Sequence, residues 1–147
     1  LWPVVLLLLV RRLQSLGPWP ARMRASVFIL IAPPAVMGLG LMLWKVPLVW
    51  PLALWGLALA FVLLALRRLP QCFDQPFGWP LWSLSFPLTA FASLTLCLAD
   101  AGALPQLLAL LVLALASVVV AALVRWTWWG LRSGDLLQPE PSPVPRP

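Results

Sequence analysis

The sequence has no histidine, only four acidic residues and only two cysteines among its 147 positions. Metal sites in proteins are built from clustered histidine, cysteine or carboxylate ligands, so we expect no metal centre and no cofactor. Cys72 lies between two apolar stretches and Cys97 inside one, so no disulfide is expected. No paired carboxylates or nucleophile with an adjacent base occur, which argues against an enzyme.

Charge is also scarce. Only 10% of the residues are charged and 63% are hydrophobic, with a mean hydropathy of +0.98, whereas soluble domains have about 25% charged residues. Four uncharged apolar stretches cover residues 27–44, 48–66, 81–99 and 104–124. Each is long enough to cross a hydrocarbon core of about 30 Å as a helix. The sequence therefore predicts an all-α, polytopic membrane helix bundle with spans at about 25–45, 48–68, 80–99 and 104–126.

The two ends of the chain differ from these spans. Residues 1–10 are apolar and begin without methionine, so we interpret them as the end of one further helix and expect the chain to be a fragment. Residues 1–136 then form the membrane domain. Residues 137–147 carry proline at every second position from 139, and this composition predicts a disordered tail.

The basic residues indicate an orientation in the membrane. If the spans alternate, all nine arginines fall on one side and only Lys45 on the other. This asymmetry places the arginine side and the C-terminus in the cytoplasm, with the bundle in the cell membrane, plasma or inner. The net charge of +6 therefore suggests contact with anionic lipid headgroups and no nucleic-acid partner.

Prolines divide the spans into two kinds. Pro33, Pro34 and Pro87 lie in the interior of the first and third spans, whereas Pro51 and Pro105 lie near the starts of the second and fourth. Interior proline leaves backbone carbonyls without partners, so the kinked helices should be inner, around a pore, and the smooth helices outer. Pro34 and Pro87 are 53 positions apart, which suggests a repeated hairpin. Alternatively, the kinks only shape helix packing.

The third span carries the most polar side chains. Ser85, Thr89 and Ser93 are four positions apart and therefore share one helix face, beside Phe86 and Pro87. Hydroxyls without charge could line a path for a small solute or ion, with Phe86 as a hydrophobic plug. Alternatively, the hydroxyls bond to carbonyls one turn earlier or to neighbouring helices.

Small residues suggest a second kind of function. Gly56 and Ala60, and Ser117 and Ala121, have the spacing that lets membrane helices approach closely. The alternative to transport is therefore a non-conducting membrane subunit or scaffold that packs against partner helices. Most tryptophans lie near span ends, where indole rings favour the membrane interface.

Three blocks resemble a known family. Residues 24–36 (RASVFILIAPPAV), residues 75–77 followed by 81–90 (LWSLSFPLTA), and residues 132–140 (RSGDLLQPE) occur in the order found in the tellurite-resistance and dicarboxylate transporter family of TehA-like proteins and slow-type anion channels. The resemblance implies ten spans in five hairpins, of which this chain supplies the C-terminal part, often assembled as trimers.

The same resemblance implies a function and a site. The expected substrate is a small inorganic or organic anion of the tellurite, C4-dicarboxylate, sulfite, halide or nitrate class. The phenylalanine that blocks the family's pore corresponds to Phe86, so this residue is the expected gate. Pro33, Pro34, Ser85, Pro87, Thr89 and Ser93 are the expected pore-lining or kink residues.

Overall fold

The computed structural model describes residue 11, residues 28–72 and residues 79–134, and for residues 68–72 and 79–80 it describes the backbone alone. Within these ranges the chain forms helices and no strand, which confirms the prediction of an all-α membrane bundle. The first apolar stretch and the proline-rich tail, predicted from residues 1–10 and 137–147, lie outside the described residues.

The described chain folds as two helical hairpins. In the first, a 3₁₀ turn at residues 28–31 leads into α1 (Ala32–Leu43), which is followed by α2 (Val49–Cys72). In the second, a 3₁₀ helix (Trp79–Leu84) leads into α3 (Ser85–Asp100), which is followed by α4 (Gln106–Ser133). The repeated hairpin expected from the proline spacing is therefore visible in the order of elements.

The helix boundaries differ from the predicted spans. The first helical segment covers Phe28–Leu43 and is about 26 Å long, shorter than the other three. By contrast, α2 continues to Cys72 and α4 to Ser133, beyond the predicted ends at 68 and 126. Arginine limits how deeply a segment enters the bilayer, but it is a good helix former and does not end the helix.

The interior prolines mark a change of helix type. Pro33 and Pro34 lie in the first turn of α1, and Pro87 is the third residue of α3. Each α-helix thus begins at its proline, where the missing N–H has the least effect on the bonding pattern, and a 3₁₀ segment precedes it. The sequence placed these prolines in the interior of the first and third spans; within the described residues they lie where the 3₁₀ segment changes to the α-helix, and the kinks stay a prediction.

Helix α3 is at the centre of the described bundle. It packs against α1, α2 and α4, while α1 also packs against α2. In the most apolar part of the segment Leu81–Asp100, which contains α3, half of the residues are buried. The corresponding share is 17% in α2 and in α4. The assignment of α3 as an inner helix and of α2 and α4 as outer helices follows from this difference.

Both outer helices contact the bundle through a seam of buried residues seven positions apart. The seam residues are Pro51, Ala58 and Ala65 in α2, and Ala109, Ala116 and Leu123 in α4. Each α4 residue lies 58 positions after its α2 counterpart. A seven-residue spacing keeps one helix face turned toward its neighbour, and small side chains allow a close approach.

The inner helices end in the same way. α1 and α3 each end in a Schellman motif with a left-handed residue, Lys45 (φ 53°) or Gly102 (φ 76°). The bonds run from the amides of Lys45 and Val46 to the carbonyls of Met42 and Leu41, and from those of Gly102 and Ala103 to Ala99 and Leu98. These bonds satisfy helix-terminal carbonyls that lipid could not.

The two hairpins meet closely at Gly38 of α1. A Cβ atom added at this position would lie 2.6 Å from Leu94 Cδ2 of α3, and Leu94 is fully buried. A larger residue at position 38 would require the buried Leu94 side chain or the helices to shift, so Gly38 favours the close approach of α1 and α3.

Candidate functional site

One narrow face of α3 is exposed, while most of the other side chains of the helix are buried or half-buried. Phe86, Thr89 and Ser93 are exposed on this face, and the Phe86 ring is 62% exposed. Spacings of three and four positions align the three side chains along the helix. We call these three residues the open face of α3; the hydroxyl stripe predicted from the sequence lies mainly on it.

The open face differs chemically from the exposed faces of the outer helices. On α4 the exposed side chains include Leu107, Leu111, Leu115 and Val118, which are compatible with lipid. The open face instead presents two hydroxyls and one aromatic ring. Because uncompensated polar groups are unfavourable against acyl chains, the open face is better suited to a polar path or to another helix.

An open groove runs between α3 and α4 beside this face. It has a volume of about 510 Å³, and its lining includes Thr89 and Ser93 from α3 and Ala116, Ser117 and Val120 from α4. Ser117 and Ala121, which the sequence suggested as a helix-packing pair, both line this groove. Their small side chains keep it open next to the hydroxyls of α3.

Two of the predicted hydroxyls bond to the backbone at the proline break. Ser85 donates to the Trp82 carbonyl at 2.8 Å, and Thr89 donates to the carbonyls of Ser85 and Phe86, both at 3.0 Å. These bonds agree with the alternative interpretation of the hydroxyl stripe, in which serine and threonine satisfy carbonyls of their own helix. The donor hydrogens of Ser85 and Thr89 are therefore already engaged.

The predicted prolines occupy the protein interior. Pro34 and Pro87 are less than 2% exposed, and Pro33 is half-buried, as is Ser85. Their rings thus pack among other helices and away from lipid. Of the predicted site residues, the structure places Phe86, Thr89 and Ser93 on one accessible face of α3, Ser85 and Pro87 in the first turn of the same helix, and Pro33 and Pro34 in α1.

The sequence analysis missed an aromatic cluster in the core. Trp55 of α2 donates its indole N–H to Thr95 Oγ1 of α3 at 2.9 Å, and its ring stacks on Phe91 at 5.9 Å. Thr95 in turn donates to the Phe91 carbonyl at 2.7 Å. Trp55 lies within a span, away from the interface where tryptophan is usual, and that position was the available signal.

The other predicted small-residue pair does not pack within the described helices. Gly56 and Ala60 are exposed, and a Cβ atom added at Gly56 would meet no atom within 4 Å. The contact face of α2 instead runs through Pro51, Ala58 and Ala65.

Charges lie at the ends of the described helices. Lys45 and Asp100 are near the turn ends of the hairpins, where Asp100 accepts a bond from Gln106 Nε2 at 3.2 Å. Arg67, Arg125 and Arg132 lie toward the far ends of the outer helices. Between Phe86 and Ser93 the sequence has no ionisable residue, so the open face owes its polarity to hydroxyls.

Comparison with known proteins gives one match. A family model described as voltage-dependent anion channel (SLAC1) matches residues 1–129. No curated protein and no solved structure matches the chain.

Proposed function

The chain belongs to the voltage-dependent anion channel family, and we propose that the open face of α3 lines the path along which small anions cross the membrane, with Phe86 as the gate. The family match covers most of the chain and agrees with the resemblance noted in the sequence. The observation that carries the proposal is the exposure of two hydroxyl-bearing residues and one phenylalanine on a helix that is mostly buried.

The neighbours of Phe86 support its assignment as the gate. Pro87 is packed in the core directly after it, and the Phe86 carbonyl accepts the Thr89 hydroxyl at 3.0 Å. The backbone is therefore held while the ring is free to move. A phenyl ring across a narrow path excludes water and ions until it is displaced.

Ser93 supports the passage of an anion. An anion needs hydrogen-bond donors, and the Thr89 hydroxyl already donates to its own helix. Ser93 lies one turn further along the same face and is exposed in the groove. With hydroxyls in place of charges, the path favours anions that lose their hydration shell at low cost. Within the expected classes, nitrate and halide would therefore pass more readily than tellurite, sulfite or C4-dicarboxylate.

Orientation and assembly complete the proposal. Arg67, Arg125 and Arg132 lie toward one end of the bundle and Lys45 toward the other, which supports a cytoplasmic C-terminus in the plasma or inner membrane. The family resemblance supports a homotrimer in the lipid bilayer.

The proposal is tested by anion flux into liposomes that contain the complete gene product. We expect Phe86→Ala to raise nitrate and chloride flux at least tenfold. Leu111→Ala is the matched control, because Leu111 is 60% exposed, close to the value for Phe86, but lies on an outer helix. Equal flux through the Phe86→Ala, Leu111→Ala and unmodified proteins would exclude the gate.

The same experiment distinguishes the second function. The unpacked surface at Gly56 and Ala60 favours a membrane subunit that binds partner helices. That function predicts no flux from any variant even though the protein assembles correctly in the bilayer. It also predicts that Gly56→Leu disrupts assembly, whereas the channel proposal requires flux in at least the Phe86→Ala protein.

A further inference from the structure

The last two turns of α4 carry arginine and tryptophan on one face. Arg125, Trp128, Trp129 and Arg132 follow the spacing i, i+3, i+4, i+7, which aligns them along the helix. All four side chains are exposed. We call these four residues the Arg–Trp stripe.

Contacts within the stripe order its side chains. The Arg125 guanidinium lies 4.7 Å from the centroid of a Trp129 ring, in a cation–π contact. Trp128 and Arg132, together with Leu131, line a shallow cavity of about 370 Å³. The stripe therefore has two guanidinium groups beside indole rings and a recess between side chains.

The opposite face of the same segment is fixed to the bundle. Thr127 Oγ1 accepts the indole N–H of Trp82 at 2.9 Å and donates to the Leu123 carbonyl at 2.8 Å. Leu123 itself is only 2% exposed. Thr127 and Leu123 point away from the stripe by helical geometry, so this anchorage holds the stripe outward.

The length of α4 places the stripe at the membrane surface. A helix of 28 residues is about 42 Å long, whereas the hydrocarbon core is about 30 Å thick. The uncharged apolar stretch ends at Val124 and is followed by Arg125, so the last turns are the part of α4 that extends into the headgroup layer. Tryptophan favours that layer, and arginine can reach phosphate oxygens there.

We propose that the Arg–Trp stripe is a binding site for the phosphate headgroup of one anionic phospholipid. The guanidinium groups of Arg125 and Arg132 bind the phosphate oxygens, and the indole rings pack on the adjoining glycerol and acyl carbons. α4 itself has no acidic residue, and the nearest one in the sequence is Asp135, three positions after Arg132. The site is separate from the open face of α3 and does not depend on the proposed transport.

The internal repeat provides a comparison for this site. Arg67 of α2 lies 58 positions before Arg125, two positions after the last seam residue in each case. The positions in α2 that correspond to Trp128 and Trp129 are occupied by Pro70 and Gln71. Arg67 thus has the charge of Arg125 and an equivalent position on its helix, but it lacks the tryptophan neighbours. General electrostatic attraction to anionic lipid acts on both arginines.

The test is native mass spectrometry of the purified protein titrated with phosphatidylglycerol or phosphatidylcholine. We expect one phosphatidylglycerol molecule to be retained preferentially. The double variant Arg125→Gln/Arg132→Gln should weaken this binding about fivefold for each arginine, whereas Arg67→Gln should leave it nearly unchanged. Arg125→Lys/Arg132→Lys keeps the charges and should bind at an intermediate level.

Three results would overturn the proposal. Equal losses from Arg67→Gln and from the double Gln variant would mean diffuse attraction to the membrane. Displacement of the lipid by millimolar inorganic phosphate would mean a site for free anions. Unchanged binding in the double Gln variant, with its thermal unfolding midpoint preserved, would mean that the stripe holds no lipid.

Discussion

The two hairpins share their framework. In each, a 3₁₀ segment precedes a proline-containing inner helix, a Schellman motif with a left-handed residue ends that helix, and an outer helix follows with buried residues seven positions apart. Pro34 corresponds to Pro87 and Lys45 to Gly102. Features that occur in both hairpins form the common framework, so they do not distinguish the open face of α3 from the equivalent face of α1.

The residues that differ between the hairpins are those with the proposed function. Each residue of α1 corresponds to the residue of α3 that lies 53 positions later. At four of these positions the first hairpin has an apolar residue or glycine, and the second has a hydroxyl-bearing or aromatic residue. The pairs are Ala32 and Ser85, Pro33 and Phe86, Val36 and Thr89, and Gly40 and Ser93. The same backbone thus presents an apolar face in one hairpin and a hydroxyl face in the other. Ser85 and Thr89 use their hydroxyls to bond carbonyls at the proline break, so Phe86 and Ser93 are the replacements that this local hydrogen bonding does not explain.

The hairpins also differ in what covers them. In the first hairpin, α3 packs against α2, where it contacts Trp55. Ala58 of α2 belongs to the core, and Val62 packs against it. Their counterparts 58 positions later in α4, Leu113, Ala116 and Val120, line the open groove. Ala58 and Ala116 are both buried, so the difference between the hairpins lies at the neighbouring position, where Trp55 is half-buried and Leu113 is exposed.

The largest effect is expected where the two hairpins touch. Gly38→Val should destabilise the protein by about 1–3 kcal/mol, because the new side chain overlaps the buried Leu94. The measurement is the thermal unfolding midpoint in detergent. Gly40→Ala is the matched control, since a Cβ atom there meets nothing within 4 Å, and its midpoint should not fall. Equal midpoints for both variants would contradict the close approach.

The next effect concerns the hydrogen bond between Trp55 of the first outer helix and Thr95 of α3. Thr95→Val should cost about 1–2 kcal/mol, because the buried indole N–H of Trp55 loses its acceptor. A double-mutant cycle with Trp55→Phe measures the coupling by thermal or denaturant unfolding. Ser117→Ala is the control, since its hydroxyl donates only to Leu113 of its own helix. Strict additivity in the cycle would argue against the Trp55 to Thr95 bond.

A moderate effect is expected from removing hydroxyls that have no counterpart in the first hairpin. In the Phe86→Ala background, Ser93→Ala should lower nitrate flux about fivefold, the equivalent of one hydrogen bond. Thr89→Val should lower it less, because the Thr89 hydroxyl already donates to backbone carbonyls. Stopped-flow measurements on liposomes give both values. A larger loss from Thr89→Val would reverse the assignment of Ser93 as the donor.

The smallest effect tests the turn that both hairpins share. Lys45→Gly should stabilise the protein by about 0.5–1 kcal/mol, since Lys45 has a φ of 53° that glycine adopts without strain. Gly102→Ala should have the opposite effect at the equivalent turn, where φ is 76°. Unfolding midpoints of the two variants that move in the same direction would contradict the equivalence of the turns.

Hydropathy and proline placement predicted much of the fold. They gave the all-α bundle, four of the helical segments and the buried positions of Pro34 and Pro87, because burial in a membrane protein follows chain composition closely. They did not give the change from 3₁₀ to α geometry at the prolines, which depends on how each first turn is bonded. They also missed the seam at Ala58 and Ala116, since alanine looks the same on every face of an apolar helix.

The candidate site was only partly predictable. The four-residue spacing identified Thr89 and Ser93 as members of one face, and this follows from helix geometry alone. The Ser85 and Thr89 bonds to the carbonyls at the break depend on side-chain rotamers, which the sequence does not specify. Phe86 was assigned by family resemblance, and its role as a gate stays a prediction.

The buried ring of Pro87 has a consequence for timing. It holds the backbone next to Phe86 while the phenyl ring is exposed, so the softest motion available at that point is rotation about two side-chain torsions. Such rotations in exposed side chains take picoseconds to nanoseconds, against microseconds to milliseconds for helix movements. If Phe86 is the gate, its ring will open and close many times while a single ion crosses the membrane.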